Sequence, residues 1–161
     1  MSKLKALVID DSGIMRKMVM QSLAKTGLAE FEFVEAGDGA EALALFDPNE
    51  FDIAFIDWNM PNMTGIEFVV AAKAKIKQMD AEQIPLVMVT SEKTISKLEE
   101  ALDQAGADSF ISKPFTVDEL KVKLKKPIDK AKLCFIRRSR RKNEEAAAAA
   151  PVKAGFFSMF K

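Results

Sequence analysis

IAFIDWNMPNMTG, residues 53–65, carries an apolar run into a carboxylate, Asp57, and follows it with Pro61 and Gly65. A run as apolar as residues 53–56 is the pattern of a strand covered on both faces, as strands in parallel sheets are. Ending such a strand in a charge places that charge at the carboxyl edge of the sheet. That edge is where open α/β sheets hold their ligands.

Four further stretches read as strands around this one: LKALVID (4–10), FEFVEA (31–36), IPLVMV (84–89) and DSFIS (108–112), with the central strand drawn as 51–57. Between them, apolar residues recur at spacings of three and four: Met15, Met18, Val19 and Leu23; Ala40, Leu43 and Ala44; Ile66, Val69 and Val70; Ile95, Leu98, Leu102 and Ala105; Val117, Leu120 and Leu124. Those are the inward stripes of amphipathic helices. Strand and helix alternating five times predict a doubly wound α/β fold, with a five-stranded parallel sheet, right-handed crossovers and helices on both faces.

The strand ends then line up as a set. Asp10 and Asp11 follow the first strand, Asp57 the third, Thr90 the fourth and Lys113 the fifth. Taken singly, each has a plainer use: Asp10, Asp11 and Ser12 suit the cap of the first helix, Thr90 and Ser91 that of the fourth. Together they form an acid pair, a third acid, a hydroxyl and a lysine on one edge. Three carboxylates and one ammonium sum to −2, and like charges about 4 Å apart repel by about 4 kcal/mol at an effective dielectric of 20. Such a cluster calls for a cation. An all-oxygen donor set favours a hard ion, and Mg2+ suits it better than zinc in a chain with one cysteine and no histidine. With the cation in place, one carboxylate is free to act as a nucleophile toward a phosphoryl group, while Thr90, Lys113 and backbone amides receive its oxygens.

Composition sets the boundaries. At 161 residues, 48% hydrophobic and 30% charged, the chain is long enough for one core plus an appendage. The absence of histidine excludes a catalytic imidazole or a phosphohistidine. Cys134 is the single cysteine, the opening MSKLKALVIDDSG has too short an apolar stretch for a signal peptide, and no run approaches the ~18 apolar residues of a membrane span. The expected setting is soluble, reducing and cytoplasmic. Zero net charge conceals two halves: residues 1–126 carry 15 Lys and Arg against 21 Asp and Glu, hence −6, whereas residues 127–161 carry 9 against 3, hence +6. Pro127 marks the expected seam.

The motifs VIDDS, FIDWNMPNMTG, VMVTSE and SKPF, in this order and spacing, resemble the receiver domain of two-component response regulators, most of all its stand-alone chemotaxis members. The resemblance covers residues 3–126. It implies a flavodoxin-like sheet of order 2-1-3-4-5, phosphorylation of Asp57, and Mg2+ held by Asp10, Asp11, Asp57 and the Asn59 carbonyl. It also implies a switch hydroxyl at Thr90, a phosphate-binding lysine at Lys113, a cis peptide between Lys113 and Pro114, and rate-tuning positions at Asn59 and Glu92. Phe110 stands where the family has an aromatic switch residue, often Tyr, and lacks that hydroxyl. The implied partners are a histidine kinase as phosphoryl donor and a downstream protein on the face of the fourth helix, fifth strand and fifth helix. The protein would then be a signalling receiver, not an enzyme for other substrates, that catalyses its own phosphorylation and dephosphorylation.

Two other readings use the same crevice: an Mg-dependent phosphotransferase or phosphatase with an aspartyl nucleophile, and a receiver-like module without phosphorylation. The first needs a substrate-selecting cap for which residues 1–126 have no spare length; the intact acids, Thr90 and Lys113 speak against the second. Residues 127–161 form a basic extension, helical or disordered, too short for a DNA-binding output domain, and no nucleic acid partner is expected. Ile128, Ala131 and Phe135 continue the stripe of the fifth helix, so either that helix kinks at Pro127 or a new helix begins there, the second costing less because an interior proline loses ~3 kcal/mol. RRSRRK (137–142) is expected to meet an acidic partner or the chain's own acidic part, and GFFSMFK (155–161) to act as a short aromatic anchor.

Overall fold

The computed structural model describes residues 3–91 and 95–149, apart from the side chains at positions 95, 97, 98 and 101. Five strands and five helices alternate: β1 Leu4–Ile9, α1 Gly13–Lys25, β2 Phe31–Ala36, α2 Gly39–Leu45, β3 Ile53–Asp57, α3 Gly65–Gln78, β4 Leu86–Thr90, α4 Ile95–Asp103, β5 Ser109–Ser112 and α5 Val117–Ala149. Every strand pair is parallel and the order is β2-β1-β3-β4-β5, the doubly wound sheet that the alternation predicts.

Period-two alternation divides the strand side chains between two cores. Leu7, Ile9, Ala54, Ile56, Leu86 and Met88 meet Phe46, Phe68 and Ile76 of the α2 and α3 side. Ala6, Val8, Ile53, Phe55, Val87 and Val89 meet Val19 and Leu23 of α1 and Leu120, Leu124 and Ile128 of α5. β3 and β4 are buried along their whole length, which accounts for their continuous apolar sequence. Helix starts are set locally. Ser12, Asp38 and Thr64 each accept the amide of the residue three positions on, and Thr116 and Glu119 satisfy one another's amides reciprocally before α5.

One expectation is overturned. No second helix starts at Pro127: α5 runs through the proline as one helix of 33 residues. The carbonyl deprived of its bond, four residues back, belongs to Lys123 in an exposed part of the helix, where water can take it. Against a proline cost of ~3 kcal/mol, continuing the helix buries Ile128, Ala131 and Cys134, and one fully buried Ile alone is worth about 1.5–3 kcal/mol. Beyond Cys134 the helix crosses under the amino-terminal edge of the sheet, opposite the strand-end acids. There Arg138 pairs with Asp52, Lys142 with Glu50 at 2.7 Å and Arg137 with Glu82 at 3.7 Å, while Arg141 donates to the Asp80 carbonyl. A cut after Lys126 therefore removes core residues as well as charge, and does not isolate the tail. Among the described residues no helix is long and apolar enough to cross a membrane.

Candidate functional site

Register does the work of assembly. Ile9 pairs with Ile56 and Asp57 with Val89, so the ends of β1, β3 and β4 stop level with one another, and Thr90 is level with Ser112 of β5. The next residues, Asp10 and Asp11, turn off the same edge. One carboxylate oxygen from each of Asp10, Asp11 and Asp57 falls within a common span of 4.8 Å. Asp10 is buried, Asp57 nearly as much so, and Asp11 is exposed, so the cluster opens to solvent through Asp11.

Lys113 closes the opposite side. Its Nζ donates to Asp10 Oδ2 at 2.9 Å and to Asp57 Oδ1 at 3.2 Å, and its backbone amide donates to the Thr90 carbonyl at 2.7 Å. The Lys113-Pro114 peptide is cis. Asp10 serves two purposes, since its Oδ1 accepts the Ser12 amide while Oδ2 holds the lysine. The capping reading of this loop thus holds for Ser12 and leaves the acids to the cluster. Thr90 is fully buried at the end of β4. Asn59 lies exposed on the loop after Asp57, and Phe110 sits half-buried on β5 with the Lys123 ammonium 4.7 Å from its ring centroid. Glu92 lies outside the described residues.

Burial raises the Asp57 pKa, and the charges of Asp10 and Asp11 push it the same way against the pull of Lys113. Burial alone would lower Lys113, but the Asp10 hydrogen bond and the charges of Asp57 and Asp10 outweigh it and hold the ammonium above its ordinary value. One cation shared by three acids leaves the cluster short of positive charge. Its donor set is oxygen only, with an open side, and fits a hard divalent cation such as Mg2+ that keeps part of its water. Replacing the exposed Asp11 by Ala should weaken Mg2+ binding by about tenfold or more, given that even outer partners of a metal site are worth that much. Trp58, adjacent to Asp57 and the single tryptophan, supplies the fluorescence signal. A titration unchanged in Asp11→Ala, with Glu100→Ala as control, would remove that carboxylate from the site.

Two contacts here went unread in the sequence. Arg16 donates from Nη1 to the Asp10 carbonyl at 2.6 Å and from Nε to Glu35 at 3.0 Å, tying the acid loop to the end of β2. Its position one turn after Ser12 is the available signal, since long helical side chains point back toward the helix start. Gly65 packs so close to β3 that an added Cβ would lie 2.2 Å from the Asp57 carbonyl oxygen, so only glycine lets α3 begin there.

An open parallel sheet with an acid cluster and a lysine at its carboxyl edge is the architecture of a phosphoryl-accepting receiver. The profile of the response regulator receiver domain family matches residues 6–133, and the chain belongs to that family. It is 37% identical over 123 residues to the chemotaxis protein CheY of Pseudomonas aeruginosa, covering 76% of this chain and 94% of that protein. It is 39% identical over 122 residues to a CheY homolog of Campylobacter jejuni, covering 75% of this chain and 89% of that protein. The solved structure of Vibrio cholerae CheY4 superposes with a TM-score of 0.61 at 37% identity, over 74% of this chain and 93% of that one. The protein is a two-component response regulator of the phosphorylation-dependent kind.

Proposed function

We infer that Asp57 accepts a phosphoryl group from the phosphohistidine of a partner histidine kinase, and that the protein signals by protein contact in a chemotaxis-like pathway. The observation that carries this reading is the cluster itself: three carboxylates within 4.8 Å of one another, two of them bonded to one lysine. Bound Mg2+, held by Asp10, Asp11, Asp57 and the Asn59 carbonyl, would supply positive charge for the incoming phosphoryl oxygens. An Asp57 oxygen attacks phosphorus, the phosphorus–nitrogen bond of the donor breaks, and the departing imidazole takes a proton. Lys113 then follows the new phosphoryl oxygens, and Thr90 turns its hydroxyl toward them. Water later attacks phosphorus and restores the carboxylate, at a rate that Asn59 and Glu92 set.

Phosphorylation adds about −1.5 to −2 charges. Drawing Thr90 inward makes room for Phe110 to swing in, away from the Lys123 ammonium over its ring, and remodels the face of α4, β5 and α5 toward the target. A differential interaction of about 3 kcal/mol would shift this equilibrium roughly a hundredfold. The functional division is a receiver at 1–126 and an extension at 127–161 whose first residues complete the receiver's core. The small-molecule phosphatase reading gains nothing from the site, and family membership favours the signalling one.

Hydrogen exchange tests the coupling. With acetyl phosphate and Mg2+, wild type should gain protection around Phe110. Thr90→Ala should still be labelled, by intact mass, yet lose most of that gain. Equal protection changes in mutant and wild type would break the proposed link between Thr90 and the output face.

A further inference from the structure

The corner where α1, β1 and α5 meet holds an apolar groove of about 710 Å³ lined by Leu4, Leu28, Phe135 and Ile136. Glu30 and Lys132 stand at its rim, and Ile136 is 45% exposed. Through Ala24, Ala29 and Glu30 the groove continues into a second depression lined by Phe31 and Phe33, whose rings stack at 5.3 Å on the edge strand β2. Half-buried aromatics on an edge strand beside an open apolar groove form a surface that monomeric proteins normally cover.

The chain carries its own cover. Twelve residues, 150–161, follow the last residue of α5, and four of them, Phe156, Phe157, Met159 and Phe160, are large and apolar within a five-residue span. We propose that residues 156–160 fold back and seat in the groove formed by Leu4, Leu28, Phe135 and Ile136, reaching toward Phe31 and Phe33.

Length supports this occupant. From Ile136 to Ala149 the helix rises about 20 Å, at about 1.5 Å per residue. The seven residues from Ala149 to Phe156 span at most about 23 Å when extended, so Phe156 can return to the level of Ile136 with almost no slack. Phe160 can then lie up to about 13 Å beyond Phe156. Pro151 is a residue type that does not continue a helix, which lets the chain turn back close to the end of α5. The helix face above Ile136 carries Asn143 and Ala147, seven and eleven residues on, short side chains along which a returning strand can lie. Lys161 would reach the rim beside Glu30, an opposite charge. Docking also follows from tethering, since a segment this close to its groove has a high effective concentration for it.

The test uses the full chain. In Phe156→Ser/Phe157→Ser/Phe160→Ser the described core is untouched, so its melting temperature should stay near that of wild type. Amides of residues 28–31 and 135–136 should shift, and groove amides should exchange about tenfold faster, the ratio for a segment docked about nine-tenths of the time. Ile136→Glu should produce the same shifts from the groove side and add little to the triple variant. These differences should persist on dilution and should not depend on anionic phosphatidylglycerol vesicles. Identical groove spectra for wild type and triple variant would overturn the proposal. So would differences that vanish on dilution, which would assign the groove to a second copy, or that arise only with vesicles, which would assign the tail to a membrane.

Discussion

Incubated with acetyl phosphate and Mg2+, wild type should gain one phosphoryl group by intact mass and Asp57→Asn should gain none. The amide keeps the shape of the carboxylate, and its carbonyl oxygen can still accept from Lys113, so the fold of the site is retained; what is lost is the anionic nucleophile. Neither neighbour is placed to replace it. Both oxygens of Asp10 are committed, one to the Ser12 amide and one to Lys113, and Asp11 is exposed. Chelation should abolish labelling of wild type as well. A separate readout guards against a trivial loss of structure: because burial penalises the charged form of Asp57, the Asn variant should melt no lower than wild type in cation-free buffer near neutral pH. Labelling of Asp57→Asn at the wild-type rate would refute the assignment.

The second large effect lies at the other end of the sheet. Asp52, fully buried, receives Arg138 on Oδ1 and the Lys5 amide on Oδ2, and Arg138 also donates to the Phe51 carbonyl at 3.1 Å. With its side chain only 13% exposed, Arg138 is a buried partner, and removing one member of a buried pair costs about 3–5 kcal/mol because a charge is left behind. Arg138→Met, which keeps much of the stem, should therefore lower the melting temperature by on the order of 10 °C.

The pH dependence has a definite sign. Burial already raises the Asp52 pKa, while Lys5 and Arg138 pull it down, so losing Arg138 raises it further. A carboxylate whose folded pKa lies above its unfolded one binds more protons folded than unfolded, and stability falls as pH rises between the two values. The deficit of Arg138→Met relative to wild type should be full at neutral pH and shrink on acidification through the raised folded pKa, as Asp52 becomes neutral in both proteins. In an Asp52→Asn background the same Arg138 change should cost much less. An equal cost in both backgrounds, at every pH, would show that Arg138 acts through packing alone.

The strand-end acid cluster and the Arg138–Asp52 pair differ in how far they could be read from the chain. Asp10, Asp11, Asp57, Thr90 and Lys113 were legible because strands of continuous apolar residues have recognisable ends, and parallel topology sends all those ends to one edge. A local pattern repeated five times thus becomes a three-dimensional set. The fold class followed from the same periodicity, and the strand order from the family resemblance.

The course of α5 was not legible, because the local cost of Pro127 argues for a boundary and its compensation is non-local. Ile128, Ala131 and Cys134 find cores built from residues far away in sequence, and Asp52 looks like an ordinary surface acid until Arg138, 86 positions later, is placed beside it. Arg16 reaching back to the Asp10 carbonyl and Gly65 lying against the Asp57 carbonyl were likewise decided only by packing. The sequence alone determined which side chains line the crevice, since strand polarity and period are properties of neighbouring residues. Which cations neutralise which buried acids, and how far the last helix runs, were decided by tertiary structure, because burial and charge pairing depend on distances that only the folded chain sets.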